Sequence, residues 1–307
     1  MTPWPDVWSV GLIMIDDLYV EGEPRARGLL AGGAAYACVG VAYAGARAGL
    51  VARAGTGIDP DTLAQLQQRG LVLEVKQVAA PSIHERVYVS AARETVYEWE
   101  PGSGDYEGTC PQPSDFTSDL APDQCVHIAP IPVRYQAEWI AFAAGAGSMI
   151  VLDPHTDDAA ADPDAYTNLI PESTAFLPSA LESECIAGPD HEQAARDYVA
   201  AGARMAAVKL GQEGCVVATA TDVTFVPAQT VHRPTDTTGA GNAFCGAFAA
   251  AVAQGRSAVE AAQVAVRAGA HMVQHAGTVA ALDGLPSKPG PRTSSSTRKD
   301  QTDPDDG

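Results

Sequence analysis

Residues 235–244 read TDTTGAGNAF, so Gly239, Ala240 and Gly241 lead straight into a helix-compatible run that begins at Asn242. N–H groups in a helix's first turn lack intrahelical partners and lie at the positive end of its dipole, so they bind phosphate or a developing negative charge. Glycine lets that backbone approach the anion closely. Taken alone, Gly-Ala-Gly before a helix is more commonly a plain tight turn. Elsewhere, Asp16 and Asp17 end an apolar run at residues 7–15, and VKLGQEG carries Lys209, Gly211 and Gly214. Lys209 is either a phosphate contact or a strand-end charge. His271 and His275 stand four apart on one predicted helix face, which is superficially metal-like. With no acidic or Cys partner nearby in sequence, packing or contact with a nucleotide base is the better reading.

These residues need elements to hold them. Residues 7–15 predict a buried strand with Asp16 at its carboxyl end, where ligands bind in open α/β sheets. Residues 32–46 are mostly small and predict a helix packed closely on a sheet, followed by the strand AGLVARAG. DPDTLAQLQQRG predicts a helix with acids in its first turn and Gly70 as its stop. Residues 82–100 alternate and are rich in Val, Tyr and Trp, which predicts two antiparallel strands with a turn near 91–94. There, His84 and Glu85 either meet a ligand or sit on a half-exposed strand, and Tyr97 and Trp99 share one face for stacking or packing. Strands then alternate with helices through QCVHIAP, MIVLDP, TAFLPS, MAAVKLG and GCVVAT. Residues 256–274 predict a helix more buried than amphipathic. The fold class is therefore α/β, a doubly wound, mostly parallel sheet flanked by helices, with a small β-sheet lid. One domain is expected over 1–285, with lid segments at about 17–30 and 82–100 that exclude water. Residues 286–307 carry almost no apolar side chains and are expected to be disordered.

Composition narrows the function classes. The 307 residues include 19 Lys and Arg against 38 Asp and Glu, a formal charge of −19, which repels nucleic acid and anionic membrane surfaces. Neither is an expected partner. No apolar stretch approaches membrane-spanning length, no basic and apolar leader opens the chain, and the 6 cysteines show no zinc spacing. A reducing cytoplasm fits these features.

Asp236-Thr237-Thr238-Gly239-Ala240-Gly241-Asn242 resembles the D-T-x-G-A-G-D signature of the ribokinase-like (PfkB) carbohydrate kinase family. The resemblance covers nearly the whole chain except the tail. GLIMIDD resembles the family's first strand, which implies that Asp16 binds substrate hydroxyls. AGGAAYACVG resembles its N-terminal glycine signature, which implies that Gly32 and Gly33 let substrate lie against backbone. VLDPH resembles the Asp-Pro strand end at Asp153. FLPSALESE resembles the N-x-x-E element, which implies that Glu182 helps organise magnesium and its waters. VKLGQEG resembles the G-x-x-G turn beside the nucleotide, implying nucleotide binding by Gly211 and Gly214. The family activity is transfer of phosphate from ATP, with Mg2+, to a hydroxyl of a sugar, nucleoside or similar polyhydroxylated molecule. The N–H groups from Gly239 to Asn242 would form the anion hole. Lids of this kind pair in some members, so a homodimer through the lid is an expectation.

The chain departs from the pattern at three places. Asn242 replaces the aspartate that accepts the hydroxyl proton, Ala37 stands where many relatives have Asn, and Ser179 replaces the Asn of N-x-x-E. An amide positions a hydroxyl but takes no proton near neutral pH. Asp236 and Asp16 are substitutes for the base, though a structural or binding role is the stronger reading for Asp236. Tyr36, beside Ala37, is core or a pocket wall. The departures keep two further readings open, a nucleotide- or sugar-binding protein without catalysis and a repurposed enzyme of other phosphate chemistry.

Overall fold

The computed structural model describes residues 4–90, 95–283 and 285. The expected turn at 91–94 and the tail lie outside them. The first strands are β1 Val7–Val10, β2 Met14–Val20, β3 Glu23–Ala31, β4 Ala48–Thr56, β5 Val72–Pro81, β6 His84–Val89 and β7 Thr95–Trp99, of which β1 and β4 are almost wholly buried. The later strands are β8 Cys125–Ile128, β9 Met149–Leu152, β10 Ala175–Phe176, β11 Met205–Lys209, β12 Gly214–Thr219 and β13 Val223–Pro227. They form a nine-stranded sheet, β13-β12-β11-β10-β9-β8-β1-β4-β5, and a four-stranded sheet, β3-β2-β6-β7. From β11 to β5 the large sheet is parallel, and β12 and β13 close one edge antiparallel.

Helices cover both faces. They are α1 Gly33–Tyr43, α2 Pro60–Gln68, α3 Tyr106–Thr109, α4 Val133–Gly145, α5 Thr156–Ala161, α6 Asp164–Thr167, α7 Ala180–Ala187, α8 His191–Ala200, α9 Ala240–Ala253, α10 Ala258–Met272 and α11 Gly277–Leu282. One core lies under α1, α2, α9, α10 and α11, where alanines dominate. The other lies under α4, α6 and α8, around Trp8, Trp139, Tyr166 and Phe176.

Two sequence expectations change. The apolar run 7–15 is not one strand: it breaks after Val10, and Asp16 belongs to β2 of the small sheet. Helix α10 buries Ala258, Ala261, Ala265 and Ala268 but exposes Glu260, Gln263 and Arg267, so it is two-faced. Strands β5 and β13 had no clear sequence signal, since β5 mixes Glu, Lys and Gln into its run.

Helices α1 and α9 touch backbone to backbone. A Cβ on Gly40 would lie 1.9 Å from the Ala243 carbonyl oxygen, and one on Gly246 would lie 1.9 Å from that of Ala37. Gly→Ala in a helix ordinarily stabilises by about 0.5–1 kcal/mol. Here the methyl group has nowhere to go, so overpacking wins and Gly246→Ala should lower stability by about 1–3 kcal/mol. Urea unfolding checks the sign.

Candidate active site

Helix α9 begins at the meeting point of two spaces. Gly239 is its N-cap at φ 77, a left-handed conformation that favours glycine. A Cβ there would also lie 2.4 Å from the Tyr36 ring. Asp236 shapes the preceding loop: its Oδ1 accepts from Thr238 N at 2.9 Å, and the Asp236 N–H donates to the Val273 carbonyl at 3.2 Å. Asp236 is 3% exposed, and burial raises its carboxyl above the usual range.

On one side of this helix start lies a cavity of about 550 Å³ lined by Lys209, Gly211, Gln212, Gly214, Thr237, Ala240, Gly241 and one side of α10. Among the residues lining it there is no carboxylate. With Ala240 and Gly241 of the first turn of α9 in its lining, the cavity suits an anion.

On the other side stand Gly33, Asn242 and the small sheet. Asn242 Oδ1 is buried without a hydrogen-bond partner, and a Cβ on Gly33 would lie 3.1 Å from it. Gly32, at φ 105, could carry no side chain either, since its Cβ would lie 2.4 Å from the Leu12 carbonyl oxygen. Asp16 is 4% exposed, Tyr36 donates its hydroxyl to Asp16 Oδ2 at 3.3 Å, and Asp16 Oδ1 has no partner. Tyr36 is thus both core and pocket wall. Asp16 pairs in register with Glu85, and Glu85 with Trp99. Val87 pairs with Tyr97 and Val89 with Thr95, so Asp16, Glu85, Trp99, Tyr97 and Thr95 share a face. Thr95 Oγ1 meets Thr237 Oγ1 at 2.9 Å, tying the small sheet to the glycine loop. Tyr97 is 50% exposed, yet its hydroxyl is enclosed and burial pushes it up to about 12.

Burial, then the charges of Glu85 and Asp236, lift the Asp16 carboxyl from 3.8 to about 8; the Tyr36 hydrogen bond opposes this, and Asp17 adds to it. A raised carboxyl favours the fold fully below its unfolded value, and this contribution disappears as pH climbs through the folded value. Asp16 therefore weakens the ligand-free protein progressively between about pH 4 and pH 8. Asp16→Asn should match the natural protein in melting temperature near the bottom of that range. At its top the variant should melt roughly 5 °C or more higher.

Other expected site residues are placed differently. Lys209 borders the cavity, but its ammonium bonds the Asp153 carboxylate and lies 3.3 Å from Cys245 Sγ. His127, Asp153 and Cys245 come within 4.8 Å of one another, all buried, a cluster that chain spacing had hidden. The protein's own lysine cation sits against two of its members. Burial, reinforced by Lys209, drives His127 down to about 3, so it is neutral. Glu182, expected near magnesium, is the third residue of a capping box: Oε1 accepts from Thr156 at 2.6 Å and Oε2 from Ser179 N at 2.6 Å. It does not line the cavity. Ser179 in place of Asn makes that cap. Ala37 is wholly buried, its backbone against Gly246.

His271 and His275 do not line this cavity. His271 Nε2 donates to the Ala281 carbonyl at 2.7 Å, its ring lies 5.3 Å from Tyr43, and His275 bonds the His271 carbonyl at 3.0 Å. The cavity face of α10 is Val266, Gly269 and Ala270, with Val273 just beyond. Residues missed in the sequence include Thr237, Gln212 and Phe244; loop and helix positions give no signal of which way they face.

Among the described residues, no helix is long and apolar enough to cross a membrane. The chain is 30% identical over 176 residues to 2-dehydro-3-deoxygluconokinase of Bacillus subtilis, an alignment covering 53% of each chain. It is 25% identical over 255 residues to a cytidine kinase of Thermococcus kodakarensis, covering 82% of this chain and 90% of that one. The chain thus spans about half the length of the Bacillus relative and most of the Thermococcus one. A putative ribokinase II of E. coli, solved with ATP and Mg2+, shares the fold with TM-score 0.73 at 18% identity, over 90% of this chain and 95% of that one. The profile of the pfkB family carbohydrate kinases matches residues 5–284. The chain, with this sheet order and this glycine-capped helix, belongs to the pfkB family of carbohydrate kinases.

Proposed function

We propose that the protein transfers the terminal phosphoryl group of ATP to a hydroxyl of a sugar or nucleoside. The observation that carries this reading is the position of the α9 N-terminus: Ala240 and Gly241 line the anion-suited cavity, while Asn242 Oδ1 faces Gly33 with no partner. ATP lies in the cavity between Gly211, Gly214 and α10, and its transferring group meets the first-turn N–H groups. The acceptor lies under the small sheet on Gly32 and Gly33, held by Asp16. Positioning in line and charge stabilisation then supply most of the acceleration.

Magnesium offsets the triphosphate charge in such a reaction. Because the lining carries no carboxylate, this chain's residues there would hold the ion only through the bound phosphates, and Glu182 would act at most through water. Asn242 holds the acceptor hydroxyl through its free Oδ1 rather than taking its proton.

The test is acceptor-dependent ADP release from ATP and Mg2+ across sugars and nucleosides, cytidine included. Tight ATP binding with no stimulation by any acceptor would select the second reading, a binding protein without turnover, which Asn242 favours.

A further inference from the structure

We propose that the acceptor is an uncharged or amino-bearing polyol and that sugar acids are refused, because Asp16 and Glu85 share the acceptor-side face of the small sheet, Asp236 acts on Asp16 from the loop before α9, and the described basic side chains of that sheet lie on its other face. This deepens the phosphotransferase reading of the same site and rests on it.

Asp16 and Glu85 are register partners on neighbouring strands, pointing to one face of the small sheet. Asp236 approaches from the loop before α9, close enough for its charge to act on Asp16 and on Tyr97. The basic groups of the small sheet are elsewhere. His84 and Arg86 flank Glu85 on β6, so they point to the opposite face, where His84 lies 3.5 Å from Asp17 and Arg86 pairs with Glu100. Arg25 and Arg27 flank Ala26, which packs with Leu18 and Val87 on the pocket side, so both project away from it. Lys209 is held by Asp153 on the nucleotide side of α9.

The pocket also asks for protons. Asp16 Oδ1, on a side chain 4% exposed, and Asn242 Oδ1 are both buried without a partner, and the amide oxygen of Asn242 can only accept. Hydroxyl and ammonium groups supply donors to such atoms, whereas a carboxylate supplies none. An anion here would sit beside Glu85 and Asp236, whose charges already act on Asp16, in a partly dry site, a discrimination of roughly 100-fold or more. Tyr97 and Trp99, 50% and 44% exposed on the same sheet face, offer rings to the apolar side of a sugar or a base.

Matched probes test this: glucose, glucosamine and gluconate; ribose and ribonate; adenosine, cytidine and 2-dehydro-3-deoxygluconate. Each is scored by thermal shift of the natural protein and by ADP release with ATP and Mg2+. At least one uncharged or amino member should bind, with its matched acid roughly 100-fold weaker. Glu85→Gln should narrow that gap about tenfold without changing the Kd for ATP. An acid that binds as well as its match overturns the proposal. So does a panel in which no uncharged or amino member shifts the melt, or a gap that Glu85→Gln leaves unchanged. Binding of an uncharged member without ADP release would sink the kinase reading while leaving the acceptor class standing.

Discussion

Asn242→Asp will raise acceptor-dependent turnover by about 10²–10⁴-fold, the usual worth of a positioned general base. The exchange is isosteric, and Oδ1 already faces the acceptor side over Gly33 without a partner. An aspartate there would sit in the first turn of α9, where the helix dipole favours its charged form. Burial of that side-chain oxygen acts the other way and holds the carboxyl closer to working pH, where a base is most effective. The readout is kcat for ADP release across pH, with KM for the acceptor little changed. A variant no faster than the natural protein would show that Asn242 does not limit the rate, and proton removal would then have to be assigned to another carboxylate of the pocket.

Lys209→Met should be the most destabilising single change on the nucleotide side, by about 3–5 kcal/mol, because it leaves the Asp153 carboxylate buried without its cation. Lys209 is held in its charged form chiefly by Asp153, working against burial. Burial lifts Asp153 to about 6, and Lys209 restrains that rise. The melting temperature should fall by roughly 10 °C, and Lys209→Met combined with Asp153→Asn should recover most of it. A double variant as unstable as the single one would show that the loss comes from packing around Lys209 rather than from the stranded charge.

Much of this arrangement was legible in the chain. The glycines at 32, 33 and 239 mark places where backbone must be bare, and alternation at 84–89 and 95–99 marked the small sheet. What was hidden depended on contacts between distant segments. The run 7–15 looks like one strand because its side chains are apolar throughout; the break follows from Gly11, where a Cβ would lie 2.8 Å from Ala129 Cβ on another strand's end. His271 and His275 showed a shared helix face but not which neighbour that face meets, and alanines chose the packing. Glu182 carried the right type at the right spacing, yet Ser179 three residues earlier captured it as a cap. His127, Asp153, Lys209 and Cys245 come from four elements, and only the sheet order brings them together.

The bare contact between α1 and α9 has a consequence for tempo. With Gly40 and Gly246 pressed on the opposing backbones, the floor under the acceptor and the cradle under the phosphate form one block. The helices have no slack with which to alter the distance between donor and acceptor. The other wall is the small sheet, which reaches β1 through residues 11–13 and carries Asp16 and Glu85. Under the kinase reading proposed above, lifting of that sheet would remove two grips from the acceptor at once and rehydrate both carboxylates, and it would time the departure of the product.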